Sequence, residues 1–356
     1  MNHSTSSAST LLLLNSILNN CRNAPDITPF LGTSYSLLIF FCLLGNSSLI
    51  YVICRRKEKG NVTHILIANL AFSDILVGIF CLPFTVVYTI MDYWVFGLCL
   101  CKITNFIGCA SVTVSVMVLV LIALERHQLI LNPTGWRPNV PQAYIAVLLV
   151  WGLASILALP LVYAVDLRDS PYKNISKLCT EFWTSGQQRM AYTVTLLLLQ
   201  YVIPLCFIFC CYLRISVHLR RREGLFGRSY NHMRRVNLLL ASMLGAFAVC
   251  YLPLQIFNVI VELNHRLINV CYHDLTFSLC HLLAMISTCI NPIIYGLLNS
   301  NVKQEVKILV QRCKGQRKKE PDILNELEQH PLSVEHFTPS TILPGSLSSE
   351  TEQGTF

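Results

Sequence analysis

Asp74 is the residue whose surroundings in this sequence most clearly suggest chemistry. It lies in the middle of an apolar stretch, and no Lys or Arg lies at the corresponding depth of the other apolar stretches. A carboxylate among hydroxyls and amides, here Ser115, Asn46 and Asn291, suits a small hydrated cation such as sodium. The alternative is a protonated acid that only hydrogen-bonds neighbouring helices, and the sequence alone does not separate the two.

Two adjacent charged residues, Glu125 and Arg126, end the third apolar stretch and are followed by His127. An Arg at a helix end with an adjacent Glu can exchange partners, which is how a conformational switch is built. The alternative is an Arg that anchors the helix by extending its guanidinium to the lipid headgroups.

The elements that position these residues must cross a membrane. The chain has 356 residues, of which 53% are hydrophobic and 13% are charged, against roughly 25% charged residues in soluble domains. Because about 20 apolar residues span a bilayer as a helix, the sequence predicts an all-α membrane protein with a bundle of seven transmembrane helices. We number them as the first to seventh spans, at about 30–54, 63–90, 99–127, 141–165, 190–217, 234–261 and 275–299.

The same pattern excludes other architectures and partners. The period-two alternation of a β-barrel is absent, and so are the repeated halves that are typical of transporters. The net charge of +8 first suggests nucleic acid as a partner. We exclude this partner because the basic residues lie in short clusters between the apolar blocks.

The distribution of Lys and Arg predicts the orientation in the plasma membrane. They concentrate after the first span, beside the third, between the fifth and sixth, and after the seventh. The positive-inside rule therefore places the N-terminus outside and the C-terminus inside. We expect residues 1–29 to be an uncleaved extracellular tail and 30–299 to be the seven-helix domain. Asn2 and Asn174 lie in sequons on the outer side and are candidate glycosylation sites.

The segment after the seventh span is predicted to contact membrane lipids. Apolar and basic residues alternate there, so residues 300–313 are expected to form a short amphipathic eighth helix on the cytoplasmic membrane surface. Cys313 ends it and is a candidate for palmitoylation. Residues 314–356 are predicted to be a disordered cytoplasmic tail whose Ser and Thr are open to receptor kinases, and hence to arrestin.

Most of the 16 cysteines lie inside spans, where they behave as small apolar residues. Five are expected on the oxidising outer side, so at least one is unpaired, and spacing alone does not fix the pairing. These are Cys21, Cys99, Cys101, Cys179 and Cys271. No set of His and Cys has metal-ligand spacing, so we expect no bound metal or cofactor other than a sodium ion near Asp74.

Each of the seven predicted spans carries a characteristic element. In order, they are Gly45-Asn46, Leu70-Ala71-Phe72-Ser73-Asp74, Glu125-Arg126-His127, Trp151, Pro204, Pro253 and Asn291-Pro292-Ile293-Ile294-Tyr295. Together they resemble the signature set of the rhodopsin-like G-protein-coupled receptors, over about residues 30–313. Longer stretches at 88–94, 123–130, 132–136 and 280–285 closely resemble the neuropeptide Y receptors, in the subgroup that includes the pancreatic polypeptide receptor.

The resemblance implies two disulfides, Cys101–Cys179 and Cys21–Cys271, and leaves Cys99 as an extra thiol. It implies a ligand of the neuropeptide Y, peptide YY and pancreatic polypeptide group, with an amidated C-terminus that ends in Arg and Tyr. It also implies coupling to an inhibitory Gi/o protein, which lowers cyclic AMP.

The resemblance also implies a ligand pocket at the outer face. Tyr88, Gln200 and His281 match its lining positions, and Glu262 matches the acid that the family uses against a ligand Arg. Asn258 lies four residues before Glu262 and shares its helix face. Asp92, with Glu181, Asp26 and Asp274, completes an acidic rim that would attract a basic peptide. For each pocket residue, the alternative is a hydrogen bond that only joins helices.

In the implied mechanism, agonist shifts the population towards an active arrangement. The sixth span pivots near Pro253 and Arg126 leaves Glu125, with Asn291 and Tyr295 as further switch residues, so that a cleft opens for the G protein. No acid lies at 233–237, so we expect packing rather than a cross-helix ion pair to hold the inactive state.

Two positions depart from the family pattern. Gly108 replaces a Gln of the pocket, and Tyr251 stands where most rhodopsin-like receptors have Trp, so ligand preference and the activation step are both affected.

Other functions fit the sequence less well. An intramembrane aspartyl protease needs two facing carboxylates, and only Asp74 lies at depth, while a serine type lacks Gly-x-Ser-x-Gly. The chain is therefore predicted not to be an enzyme, and a transporter or channel is disfavoured by the missing repeats. The nearer alternative is a receptor for another amidated neuropeptide, such as a neuropeptide FF-like ligand.

Overall fold

A computed structural model describes residues 27–55, 61–132, 134–169, 177–221, 228–263 and 270–298. Within these ranges the chain is almost entirely helical, with one π-helical segment and two strands. The elements are α1 (Thr28–Arg55), α2 (Val62–Phe80), α3 (Leu82–Met91), α4 (Gly97–Leu131), α5 (Val140–Ala164), β1 (Val165–Asp169), β2 (Lys177–Glu181), α6 (Gly186–Leu197), the π-helical segment (Leu198–Val202), α7 (Ile203–Arg221), α8 (Arg228–Leu263) and α9 (Val270–Leu298).

Seven stretches of these helices are long and apolar enough to cross a membrane, which confirms the predicted seven-helix architecture. They are Thr28–Arg55, Val62–Met91, Gly97–Leu131, Val140–Ala164, Gly186–Arg221, Ala241–Leu263 and His273–Tyr295. They are the first to seventh spans from here on. Each overlaps its predicted counterpart, because in lipid a backbone satisfies its polar groups only within a helix or a closed barrel.

Proline explains the two interruptions inside spans. The second span breaks at Cys81, and α3 restarts with Pro83 at its first turn, where a missing N–H costs nothing. The fifth span passes through the π-helical segment just before Pro204, since proline removes a hydrogen bond from the preceding turn.

Side-chain caps set the starts of several spans, as the second and fourth illustrate. The Asn61 side chain accepts a hydrogen bond from the Thr63 backbone N–H at 3.1 Å and begins the second span. Asn139 and Gln142 form a reciprocal capping box at the start of the fourth span. Each cap satisfies backbone donors that the first helical turn leaves without partners.

Burial in the bundle is the reverse of that in a soluble protein. On the fourth span, Leu148 and Tyr163 are exposed, and Tyr163 reaches 80% exposure, whereas the small residues Ala154 and Ala158 are buried. Asn46 and Asp74 are buried among the helices. Apolar side chains facing outward and polar ones facing inward are what a lipid environment requires.

The two strands form an antiparallel hairpin that the sequence analysis did not predict. Val165 lies opposite Glu181, and Leu167 lies opposite Cys179. The fourth span therefore ends at Ala164, and the chain turns directly into strand. The Cys101–Cys179 disulfide joins the hairpin to the third span, which confirms that pairing. Cys99 is an exposed free thiol.

Several predicted features lie outside the described residues and stay predictions. They are the tail 1–26, Asp26, the sequons at Asn2 and Asn174, Cys21, the amphipathic helix 300–313 with Cys313, and the tail 314–356. Cys271 lies on α9, but its side chain is not among those described.

Candidate functional site

The carboxylate of Glu262 forms an ion pair at the end of the bundle that carries the Cys101–Cys179 bridge. We refer to this end as the disulfide end. Arg189 of α6 approaches Glu262 with Nε at 2.8 Å from Oε1, and its Nη2 donates to Oε2 at 3.0 Å. The Thr193 hydroxyl donates to Oε1 at 3.4 Å. Glu262 is 11% exposed and Arg189 is 39% exposed. The acid that the sequence analysis assigned to a ligand Arg is therefore already bound by an Arg of the protein.

A second carboxylate, Glu181 at the end of β2, belongs to the same group of charges. The indole N–H of Trp183 donates to its Oε2 at 2.8 Å. Glu181 has considerable exposed area, yet the protein around its carboxylate removes part of its hydration and raises its pKa. Nearby Glu262 adds to this rise in the pKa, whereas the Trp183 hydrogen bond and Arg189 oppose it. We refer to Glu181, Arg189 and Glu262 as the charge triad, which carries two carboxylates and one guanidinium.

Asp92, Asp274 and Asn258 lie around this end. Asp92 ends α3 in the left-handed conformation at φ 57°, and its backbone N–H donates to the Tyr88 carbonyl at 2.9 Å. Asp274 is exposed, with an Oδ1 that lies 2.9 Å from Nδ1 of His273. Asn258 is half-buried on the sixth span and makes no side-chain hydrogen bond to the residues that the structure describes.

Tyr88 packs into an aromatic cluster below the hairpin. Its ring lies 6.0 Å from that of buried Trp94, measured between centroids. Trp94 donates through its indole N–H to the Gly97 carbonyl at 2.8 Å and through its backbone N–H to the Lys177 carbonyl at 2.7 Å. The cluster therefore fixes the hairpin on the helix ends.

Gln200 and His281 make hydrogen bonds that join helices. Gln200 is 6% exposed, and its Nε2 donates to the Thr113 hydroxyl at 2.7 Å, linking the fifth span to the third. Nδ1 of His281 lies 2.9 Å from the Tyr35 hydroxyl, which links the seventh span to the first. For both residues, these polar contacts are the helix-joining hydrogen bonds that were the alternative to a role in binding ligand.

Asp74 lines a small internal cavity of about 10 Å³, room for about one water-sized sphere. The carboxylate is 2% exposed, and its Oδ2 accepts from Asn291 Nδ2 at 3.0 Å. Ser115 also lines the cavity but pairs with the Ser73 hydroxyl at 3.4 Å. The cavity also contains Ser111, whose buried hydroxyl has no partner in the described part of the chain.

Asn46 does not hydrogen-bond to Asp74 among the described residues, although the sequence analysis suggested that it would. Its side-chain amide donates to the carbonyls of Cys42 at 2.9 Å and Thr288 at 3.0 Å, which ties the first span to the seventh. Among the three neutral partners that we predicted for Asp74, Asn291 is the one that bonds to it directly.

At the opposite end, which we call the Arg126 end, a hydroxyl lies between Glu125 and Arg126. The Thr63 hydroxyl donates to the Glu125 carboxylate at 2.8 Å and accepts a short hydrogen bond from Arg126 Nη2. No direct ion pair joins Glu125 to Arg126 within the ranges described. The buried Arg126 Nε has no partner there. Tyr295 is buried on the seventh span.

Sequence reasoning missed Arg189 and Thr63. Arg189 is a single cation in the first turn of a long apolar span, and Thr193 follows it at the i+4 position on the same helix face. From this spacing, a polar helix face that packs against another helix could have been predicted. Nothing in the sequence around Thr63 marked its hydroxyl as a bridge.

Comparison with known proteins adds to this geometry. Residues 45–295 match the family described as 7 transmembrane receptor (rhodopsin family). The human protein named Neuropeptide Y receptor type 4-2 is 48% identical, covering 89% of this chain and 87% of its own length. The mouse Neuropeptide Y receptor type 4 is 45% identical, covering 89% and 87%. The Xenopus laevis Neuropeptide Y receptor type 1 is 45% identical, covering 80% and 81%.

Proposed function

Because this chain belongs to the rhodopsin family of seven-transmembrane receptors and, within it, to the neuropeptide Y receptors, we propose that it is a G-protein-coupled receptor for peptides of the neuropeptide Y group. It is a multi-pass membrane protein, and members of its family are receptors rather than enzymes. The observation that carries the proposed ligand class is the charge triad, whose two carboxylates and one guanidinium give these three residues a net charge of −1.

A net negative charge at a partly desolvated site favours a cationic ligand group, and an Arg suits a carboxylate best because it can donate two parallel hydrogen bonds. The proposed ligand is an amidated peptide that ends in Arg and Tyr. Amidation removes the negative charge of the terminal carboxylate, which the acidic rim would repel. Asp92 and Asp274 extend the same attraction around the pocket entrance.

In the proposed orientation, the N-terminus and the disulfide end are extracellular, because Lys and Arg concentrate at the other end. The domain boundaries at residues 29, 299 and 313, the Cys21–Cys271 bridge, glycosylation at Asn2 and Asn174, and palmitoylation at Cys313 belong to this proposal.

We propose that signalling proceeds by a population shift in which peptide binds an open arrangement of the Arg126 end more tightly. The sixth span would pivot at Pro253. Arg126 would then break its hydrogen bond to the Thr63 hydroxyl, in place of the direct bond to Glu125 that the sequence analysis expected it to break. The proposed partner is a Gi/o protein, followed by receptor kinases and arrestin at the tail. A sodium ion in the Asp74 cavity, beside Ser115, would favour the closed arrangement.

The experiment is a panel of amidated and free-acid forms of neuropeptide Y, peptide YY and pancreatic polypeptide, tested on the purified receptor. Stimulation of GTP exchange on Gi/o by at least one amidated peptide, with a much weaker free-acid form, is the expected result. Arg126→Ala should abolish exchange and leave peptide binding intact.

An amidated neuropeptide FF serves as the control ligand. If it alone stimulates exchange, the ligand assignment is wrong and the receptor class stands. If exchange occurs only on another class of G protein, the Gi/o assignment is wrong.

A further inference from the structure

Both oxygens of the Glu262 carboxylate are engaged by one guanidinium edge of the protein. Nε of Arg189 lies 2.8 Å from Oε1, and Nη2 donates to Oε2 at 3.0 Å. A ligand guanidinium would seek this same paired geometry, since it is the strongest way for Arg to bind a carboxylate. Two guanidinium groups cannot occupy the same pair of oxygens, so any Arg that approaches Glu262 in this way must displace Arg189.

The position of Arg189 makes this displacement feasible. The helix α6 begins at Gly186, with Ser185 as its cap, so Arg189 lies in the first turn. The positive end of the helix dipole disfavours a cation there. The attraction of nearby carboxylates is therefore what holds the guanidinium in place. Because the side chain is 39% exposed, it can leave Glu262 without crossing the interior of the bundle.

Glu181 provides a second acceptor for the displaced guanidinium. Its Oε2 accepts from the Trp183 indole at 2.8 Å, and the Trp183 ring packs 5.0 Å from Tyr192 of α6, the helix that carries Arg189. Glu181 follows Cys179 by two residues on the strand that the disulfide fixes to the third span. Movement of Arg189 from Glu262 towards Glu181 would therefore exchange one carboxylate for another within the charge triad.

We infer that Arg189 is an internal competitor of the ligand: it occupies Glu262 in place of the ligand guanidinium, and binding transfers it to Glu181. This inference rests on the proposed function. In this arrangement Arg189 is a specificity-determining residue, because a neutral group cannot displace it at Glu262. After the transfer Arg189 would pair with Glu181 and the ligand guanidinium with Glu262, so the triad itself accommodates one cationic group.

The test compares Arg189→Gln with Arg168→Gln in the full-length receptor. Arg168 is a matched control because it also lies at the disulfide end, on β1, and its guanidinium packs over the Phe182 ring at 3.9 Å, outside the charge triad. The probes are an amidated neuropeptide Y and the same peptide with its C-terminal Arg replaced by citrulline, which keeps the shape and removes the charge. Peptide affinity is measured by displacement of a labelled amidated peptide.

Arg189→Gln should strengthen binding of the Arg peptide by about tenfold, as expected for removing a partly exposed competing ion pair. The citrulline peptide should gain no more in this variant than it gains in Arg168→Gln. In a Glu262→Gln background, Arg189→Gln should gain no more than Arg168→Gln does, because the carboxylate for which Arg189 and the ligand compete is then absent.

Three results overturn the inference. If Arg189→Gln weakens the Arg peptide as strongly as Glu262→Gln does, Arg189 supports the site or contacts the ligand. If it matches Arg168→Gln, only long-range charge is involved. If the gain persists in the Glu262→Gln background, the competition is for another group. Failure of the proposed function is distinct, since the unmodified receptor would then bind none of the amidated peptides, and the inference would fall with it.

Discussion

Replacing Thr63 with Val removes the hydroxyl that joins Glu125 and Arg126 while keeping the β-branched shape of the side chain. In the structure this hydroxyl donates to the Glu125 carboxylate at 2.8 Å and accepts from Arg126. Thr63 and Glu125 are 5% and 6% exposed, so water cannot readily replace the lost contacts. A hydrogen bond to a charged group contributes about 1.5–3 kcal/mol.

We therefore expect Thr63→Val to lower the free energy of unfolding by about 2–4 kcal/mol, since Arg126 loses an acceptor as the Glu125 carboxylate loses a donor. Thr85→Val is the matched control, because among the described residues the Thr85 hydroxyl donates to the Cys81 carbonyl one turn earlier, at 3.0 Å, and joins no charged groups. It should cost about 1 kcal/mol or less.

The assay is the thermal unfolding midpoint of the purified receptor in detergent. Thr63→Val should unfold about 5 °C below Thr85→Val. Thr63→Ser keeps the hydroxyl and should restore most of the difference. Equal midpoints for Thr63→Val and Thr85→Val would refute the bridge as a stabilising contact. A failure of Thr63→Ser to restore stability would show that the hydroxyl alone does not account for the effect and that packing of the methyl group contributes as well.

Three further predictions concern the pocket, the packing and the cavity. Loss of hydration around its carboxylate raises the pKa of Glu181 above the ordinary value, so as the pH falls Glu181 should protonate earlier than an ordinary Glu and binding of a cationic peptide should weaken; Glu181→Gln should show a smaller loss of affinity over the same range of pH. Gly45→Ala should destabilise the receptor, because the added Cβ would lie 2.9 Å from Cγ of Pro292, whereas Gly108→Ala should be tolerated, since its Cβ meets a single thiol at 3.7 Å; thermal midpoints would reverse in order if this packing is wrong. Asp74→Asn should abolish the effect of sodium on agonist affinity in a binding assay, and persistence of that effect would place the ion elsewhere.

The seven spans could be predicted because hydropathy and the physics of lipid leave little choice of structure. A backbone in hydrocarbon must bond to itself, so each apolar run of sufficient length becomes a helix. The hairpin could not be predicted in this way. Its strands are five residues each, they lack a clear alternation, and their pairing depends on a disulfide and on contacts with Trp94 from elsewhere in the chain.

The polar partners were harder to predict than the helices that carry them. Asp74 does bond to Asn291, but Ser115 turns to Ser73, and Asn46 turns to backbone carbonyls. Sequence gives the depth of a residue within a span, whereas a hydrogen bond also depends on how each helix is rotated about its axis. That rotation follows from the packing of many side chains, so depth alone predicts candidates but not pairs.

The two arginines at opposite ends of the bundle are held in different ways, and the difference bears on what each can do. Arg189 bonds directly to a carboxylate and is itself 39% exposed, so a cation that reaches Glu262 can displace the Arg189 side chain towards solvent. Arg126 bonds to a neutral hydroxyl, and its buried Nε lacks a partner in the described part of the chain. A buried donor without a partner costs about 1–3 kcal/mol. An arrangement that opens the Arg126 end to water or to an incoming acceptor removes this cost, so the closed arrangement is held less firmly than a direct ion pair would hold it.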